Sequence, residues 1–150
     1  MSGEMQGGLF PPSNNAVITN PPPTQNLPIV AQNARLRVQV DQLAQANAIG
    51  HDKPPDGGTF LILVIVFNDL NNEPITVGPD HLSLSTPRGE LLKPQPINIQ
   101  SAIEKFHTRM IKPEHGTVGL VVFTLSDPEA FDQLIYGDGA GDKLTLALKP

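Results

Sequence analysis

Hydrophobic and polar residues alternate with a period of two in several short stretches of this chain, the spacing of a β-strand with one buried face. Leu36, Val38 and Val40 are interleaved with Arg35, Arg37, Gln39 and Asp41. Leu144, Leu146 and Leu148 repeat the pattern near the end. Residues 59–68 are nearly all β-branched or apolar, which predicts a central strand covered on both faces. Residues 117–125 predict a further strand, with Val118, Leu120, Val122 and Leu125 toward the core. Shorter strands are expected at 75–77 and 82–84. Turn signals separate these stretches: 54–58 (PPDGG), Asn71-Asn72, Gly78-Pro79, Arg88-Gly89, Asp127-Pro128 and the glycines of 137–141.

One stretch departs from the alternation. Across residues 97–110, Ile99, Ala102, Ile103 and Phe106 share one face of a 3.6-residue period, which predicts a short helix ended by Pro113 and Gly116. Short strands punctuated by turns about every ten residues give the expected class: an all-β, immunoglobulin-like β-sandwich with one short helix.

Residues 1–33 differ in kind from residues 34–150. They hold Pro11, Pro12, Pro21, Pro22, Pro23 and Pro28, and their one charge is Glu4. Proline fixes φ and lacks an amide proton, so neither a helix nor a central strand runs through these positions. An extended N-terminal arm is expected, with the sandwich closing without it. Apolar residues recur between the prolines, and Leu9, Phe10, Val17, Ile18, Leu27 and Ile29 read as anchors that bind a partner protein.

The order of signals across residues 35–150 resembles the telokin-like immunoglobulin-fold domain of unknown function found in bacterial surface lipoproteins. The resemblance rests on the alternating strand 36–40, the long apolar strand 60–68 closing on Asn68, and the turn 71–77 (NNEPITV). It continues through residues 82–89 and the run 111–116 (IKPEHG) leading into 118–123 (VGLVVF). It implies an immunoglobulin-like sandwich and brings no catalytic residues with it.

Composition narrows the chemistry. The chain of 150 residues is 39% hydrophobic, enough for a core, and carries a formal net charge of -5. Lys and Arg form no block, so no nucleic-acid partner is expected. Cysteine is absent, which removes disulfides, thiolate metal sites and a cysteine nucleophile. Residues 1–8 have neither a cationic stretch nor an apolar run, so no secretory signal is read there. The longest apolar run, 60–67, is far too short for a membrane span.

No constellation of catalytic or ligating residues stands out. His51, His81, His107 and His115 share no metal-ligand spacing. Asp138 and Asp142 lie in a glycine-rich stretch too short for a calcium loop, and read as a plain turn. No serine sits in a nucleophile-elbow frame. No cofactor, metal or enzymatic activity is expected. The expectation is a structural protein of a large assembly: a virion component of the capsid-decoration or cement type, attached to neighbouring subunits by its arm. The alternatives are a cell-surface or filament subunit whose arm complements a neighbour's sheet, and a monomeric ligand-binding module.

Overall fold

A computed structural model of the chain describes residues 15–137 and 143–150. The strands are β1 (Ala16–Thr19), β2 (Ile29–Gln32), β3 (Leu36–Ile49), β4 (Thr59–Asp69), β5 (Ile75–Val77), β6 (Leu82–Ser85), β7 (Leu91–Leu92), β8 (Arg109–Ile111), β9 (Gly116–Leu125), β10 (Gln133–Gly137) and β11 (Lys143–Ala147). They build an all-β sandwich. The larger sheet has the order β1-β3-β4-β9, with β2 on the same flank of β3 as β1. The smaller sheet runs β11-β10-β6-β7, and β5 with β8 forms a separate ribbon. All these pairings are antiparallel.

β4 is the centre of the larger sheet, and both of its faces are buried, as its near-continuous apolar sequence predicts. Leu61, Leu63, Ile65 and Phe67 point into the space between the sheets. There they meet Val38 and Val40 of β3, Val121 and Phe123 of β9, and Leu84, Leu134, Tyr136 and Leu146 of the smaller sheet. Phe60, Ile62 and Val64 point the other way, into a second cluster with Ala44, Ala46, Leu120 and Val122.

That second cluster needs a cover, and residues 97–103 supply it: Ile97, Ile99 and Ile103 pack onto it. This is the stretch expected to be helical, and it is not a helix. Pro94 and Pro96 hold its entry extended, and the backbone on either side of it bonds to β9. Gln95 N donates to Val122 O at 2.8 Å, Leu120 N to Glu104 O at 2.9 Å, and Phe106 N to Leu120 O at 2.9 Å. The apolar residues assigned to one helical face therefore divide. Ile99 and Ile103 cover the outer cluster, while Phe106 passes round the edge of β9 into the core between the sheets. There it stacks on Phe67, with ring centroids 4.9 Å apart. Gly119 permits this approach, since a Cβ at that position would lie 2.5 Å from Phe106 Cβ. The one helical turn among the described residues is a 3-10 turn at Pro79–His81.

β3 carries a bulge. Its register with β4 shifts between Val40 and Gln42, so Asp41 is an extra residue. Val40 pairs with Ile65 and Leu43 with Leu63, which keeps both on the inner side, and Ala44 and Ala46 turn to the outer cluster. Gln45 is left on the inner side opposite Leu61, buried, and its Nε2 donates to Pro128 O at 2.9 Å.

One further expectation is revised, and one strand lies where the sequence predicts none. Val118, placed in the core from its alternation, is exposed, because the cover formed by residues 97–103 lies over another part of the outer face. β10 falls almost wholly between the turns read at Asp127-Pro128 and at 137–141, in a stretch given no element from the sequence, and its Leu134 and Tyr136 are buried core residues.

Candidate functional site

The residues expected to bind a partner fall into three groups. Leu9 and Phe10 lie outside the described residues. Leu27 and Ile29 do not face outward: they are half-buried and pack against the core between the sheets. Ile29 pairs with Val40, Val30 with Gln39, Ala31 with Val38 and Gln32 with Arg37, so β2 is a strand of the sandwich. Val17 and Ile18 are the pair left exposed, 55% and 42%, on β1.

Residues 15–33 are thus laid along the sandwich's own sheet. Asn33 ends the run with a side-chain turn, its Oδ1 accepting from the Arg35 and Leu36 amides at 2.8 and 2.9 Å. Between the two strands, Gln25 N donates to Leu148 O at 2.9 Å and Gln25 Nε2 to Lys149 O at 2.9 Å. The segment therefore ties β3 of the larger sheet to the chain just past β11 of the smaller one. At its start Asn15 O accepts from Gly50 N at 2.6 Å, and its side chain bonds Asn98 O and Gln100 N at 3.0 and 2.9 Å. The sequence signal for this was present but open to two readings. Ile29 and Ala31 alternate with Val30 and Gln32, which is strand spacing, but the neighbouring prolines argued for an arm.

Among the described residues β1 ends the larger sheet as an edge strand. From residue 5 to residue 34 the chain has no Asp, Glu, Lys or Arg, so this edge carries no charge. Other exposed apolar residues are Val30 (47%) and Val118 (45%), in one row across the outer face through Gln39 and Val66.

The titratable residues stay scattered. His107 and Glu104 meet at Arg109, whose Nη2 is 2.8 Å from Glu104 Oε1 and 3.0 Å from His107 Nε2 on the surface. His81 lies edge-on to Tyr136 with centroids 5.7 Å apart. His115 Nδ1 is 3.1 Å from Pro113 O. Among the described residues no three His, Cys, Asp or Glu come together in a way that could hold a metal ion. Asp138 and Asp142 lie outside the described residues. No helix among them is long and apolar enough to cross a membrane.

Hollows on the surface of the described residues include two of similar size. One, about 330 Å³, lies where residues 93–96 and 105–106 meet β9. The other, about 400 Å³, is polar and bordered by Thr86, Arg88, Glu90, Asp127 and Glu129.

No known protein family matches the chain, and no curated protein matches it in sequence. Three solved bacterial structures share its fold at low identity. One is the ycdA protein of Bacillus subtilis, a candidate lipoprotein, at 15% identity and a TM-score of 0.64. The match covers 77% of this chain and 37% of that one, so this chain spans little more than a third of the ycdA protein's length. A functionally unknown protein from Listeria monocytogenes is 13% identical with a TM-score of 0.55, over 95% of this chain and 89% of that one. The yjhA protein of Bacillus subtilis is 12% identical with a TM-score of 0.52, over 71% and 76%. The all-β sandwich of this chain is therefore one that bacterial proteins of unrelated sequence also adopt.

Proposed function

We propose that this chain is a non-enzymatic structural subunit of a larger protein assembly, and that copies of it join edge to edge along β1. The observation that carries the reading is the exposed pair Val17 and Ile18 on an uncharged edge strand. Sheet edges are normally blunted with Lys, Pro or an inward charge, because an open edge templates pairing with another chain. β1 has none of these within it. Antiparallel pairing of β1 with β1 of a second copy is self-complementary and brings no like charges together. It continues the larger sheet from one copy into the next, as strand addition does.

Two settings fit such a subunit: the virion coat expected from the sequence, and a cell surface. The fold likeness to a candidate lipoprotein supports the cell surface. The finer description of the domain, a telokin-like immunoglobulin sandwich, belongs to this proposal and is supported by the order of signals across residues 35–150.

Sedimentation equilibrium of the full chain from micromolar to millimolar concentration tests the reading. The expected result is a concentration-dependent dimer. Ile18→Lys places two ammonium groups in the joint and is expected to weaken it about tenfold or more. Met110→Lys, at a more exposed apolar residue on β8, is expected to leave it unchanged. A chain that stays monomeric throughout, or a dimer indifferent to Ile18→Lys, overturns the proposal.

A further inference from the structure

We infer that the hollow on the edge of β9 is a binding site for a small carboxylate with an apolar body. Its size, about 330 Å³, lies at the lower end of the range of small-ligand sites, roughly 300–1,000 Å³. Phe106, Leu120 and Val121 contribute apolar surface to it, and Pro94 and Pro96 give it stiff walls. Phe106 is fixed in turn by its stacking on Phe67.

The charged groups at its border decide what kind of ligand it takes. Lys93 Nζ donates to Asp80 O, Leu82 O and Ser83 Oγ at 3.0, 3.1 and 3.2 Å. All three acceptors are neutral, so the ammonium charge is held in place without being cancelled. The Lys105 side chain makes no ion pair or hydrogen bond with any described residue. Asp80 supplies the one carboxylate of the lining. Two cations against one anion leave a net charge of about +1 by formal count, on a chain whose total is -5. The second hollow has the opposite balance: Arg88 faces Glu90, Asp127 and Glu129.

The backbone closes the inner side of the hollow, since Gln95 N and Phe106 N are bonded to Val122 O and Leu120 O along the edge of β9. Two ammonium groups, those of Lys93 and Lys105, therefore border one opening whose lining is otherwise largely apolar. Lys93 directs its three donors at Asp80, Leu82 and Ser83, which leaves Lys105 to donate to a carboxylate while the ligand's apolar part lies against the prolines and the apolar lining.

The test is a titration of the isotope-labelled full chain, read by amide chemical shifts, with benzoate and hexanoate as probes. Benzyl alcohol and benzylamine serve as neutral and cationic controls. Both acids are expected to shift the amides of Gln95, Phe106, Leu120 and Val122, with the two controls far weaker. Lys105→Gln is expected to weaken benzoate about tenfold through loss of a charge-assisted bond. Asp80→Asn is expected to strengthen it severalfold by removing the opposing charge. Lys105 and Asp80 are exposed, so both variants keep the fold. Equal binding of benzyl alcohol, shifts confined to other parts of the chain, no shifts at all, or an affinity indifferent to Lys105→Gln each overturn the inference.

Discussion

Adjacent residues of β2 offer a direct way to separate a strand from an arm. Ile29 packs against the core between the sheets, whereas Val30 is 47% exposed on the opposite face. Ile29→Ala removes three carbon groups, worth about 2.4 kcal/mol if wholly buried at ~0.8 kcal/mol each. Ile29 is half-buried, so about 1–1.5 kcal/mol is expected. Leu27→Ala loses the same three groups at a similarly half-buried position, and the double variant is expected to lose about 2–3 kcal/mol. For a chain of this length that lowers the melting temperature by roughly 4–12 °C. Val30→Ala removes two groups that are already half in water, and is expected to cost about 0.5 kcal/mol. Urea and thermal denaturation followed by circular dichroism measure all four variants. A mobile arm predicts no change in any variant, because an unpacked side chain has the same surroundings in the folded and unfolded states. A double variant that melted together with the parent chain would remove residues 27–32 from the sandwich and return them to an arm.

Two further outcomes follow from the packing. Gly119→Ala puts a methyl group about 2.5 Å from Phe106 Cβ and 2.8 Å from its Cα, so backbone must shift. A loss of about 1–3 kcal/mol is expected, with the Phe106 amide losing hydrogen-exchange protection before those of β4; a neutral substitution refutes the close approach. Ile62→Ala and Leu63→Ala sit on opposite faces of β4 and are both fully buried. Each is expected to cost about 2–5 kcal/mol in a urea melt, and a loss below about 1 kcal/mol at Ile62 would show that residues 97–103 do not cover the outer face.

The parts of the fold legible in the sequence are those where one local pattern has one structural solution. Residues 59–69 are apolar at almost every position, and the solvent-free strand that this demands is what β4 is. Arg88-Gly89 marks the tight connection of β6 and β7, and Gly89 has the positive φ, 87°, that such a turn uses. Residues 97–110 mislead because spacing alone does not distinguish an apolar helical face from an extended segment that crosses an edge. Ile103 and Phe106 are three apart, which suits one face of a helix, yet they serve two different cores. The prolines at 94 and 96 and the glycine at 119 hold the distinguishing information, but only the tertiary contact gives Gly119 its meaning. The exposed pair Val17 and Ile18 is legible as surface apolar residues, whereas the inward turn of Leu27 and Ile29 depends on a pairing with Val40 that no local rule predicts. The hollow on the edge of β9 is not legible, because it is assembled from residues far apart in the chain.

Asp41 acts on β3 as a single inserted letter acts on a reading frame. Upstream of it, odd and even positions have one assignment of inside and outside; downstream the assignment is exchanged. Ala44 and Ala46, which strict alternation from Val38 and Val40 would send inward, lie outside under Ile97 and Ile99, where their small size leaves room for the covering strap. Substitution at a single position of β3 disturbs one contact, but a change in length of one residue near 41 would reassign the face of every residue from 42 to 46. The variation open to this strand is therefore lopsided: its letters can drift one at a time, while its count cannot.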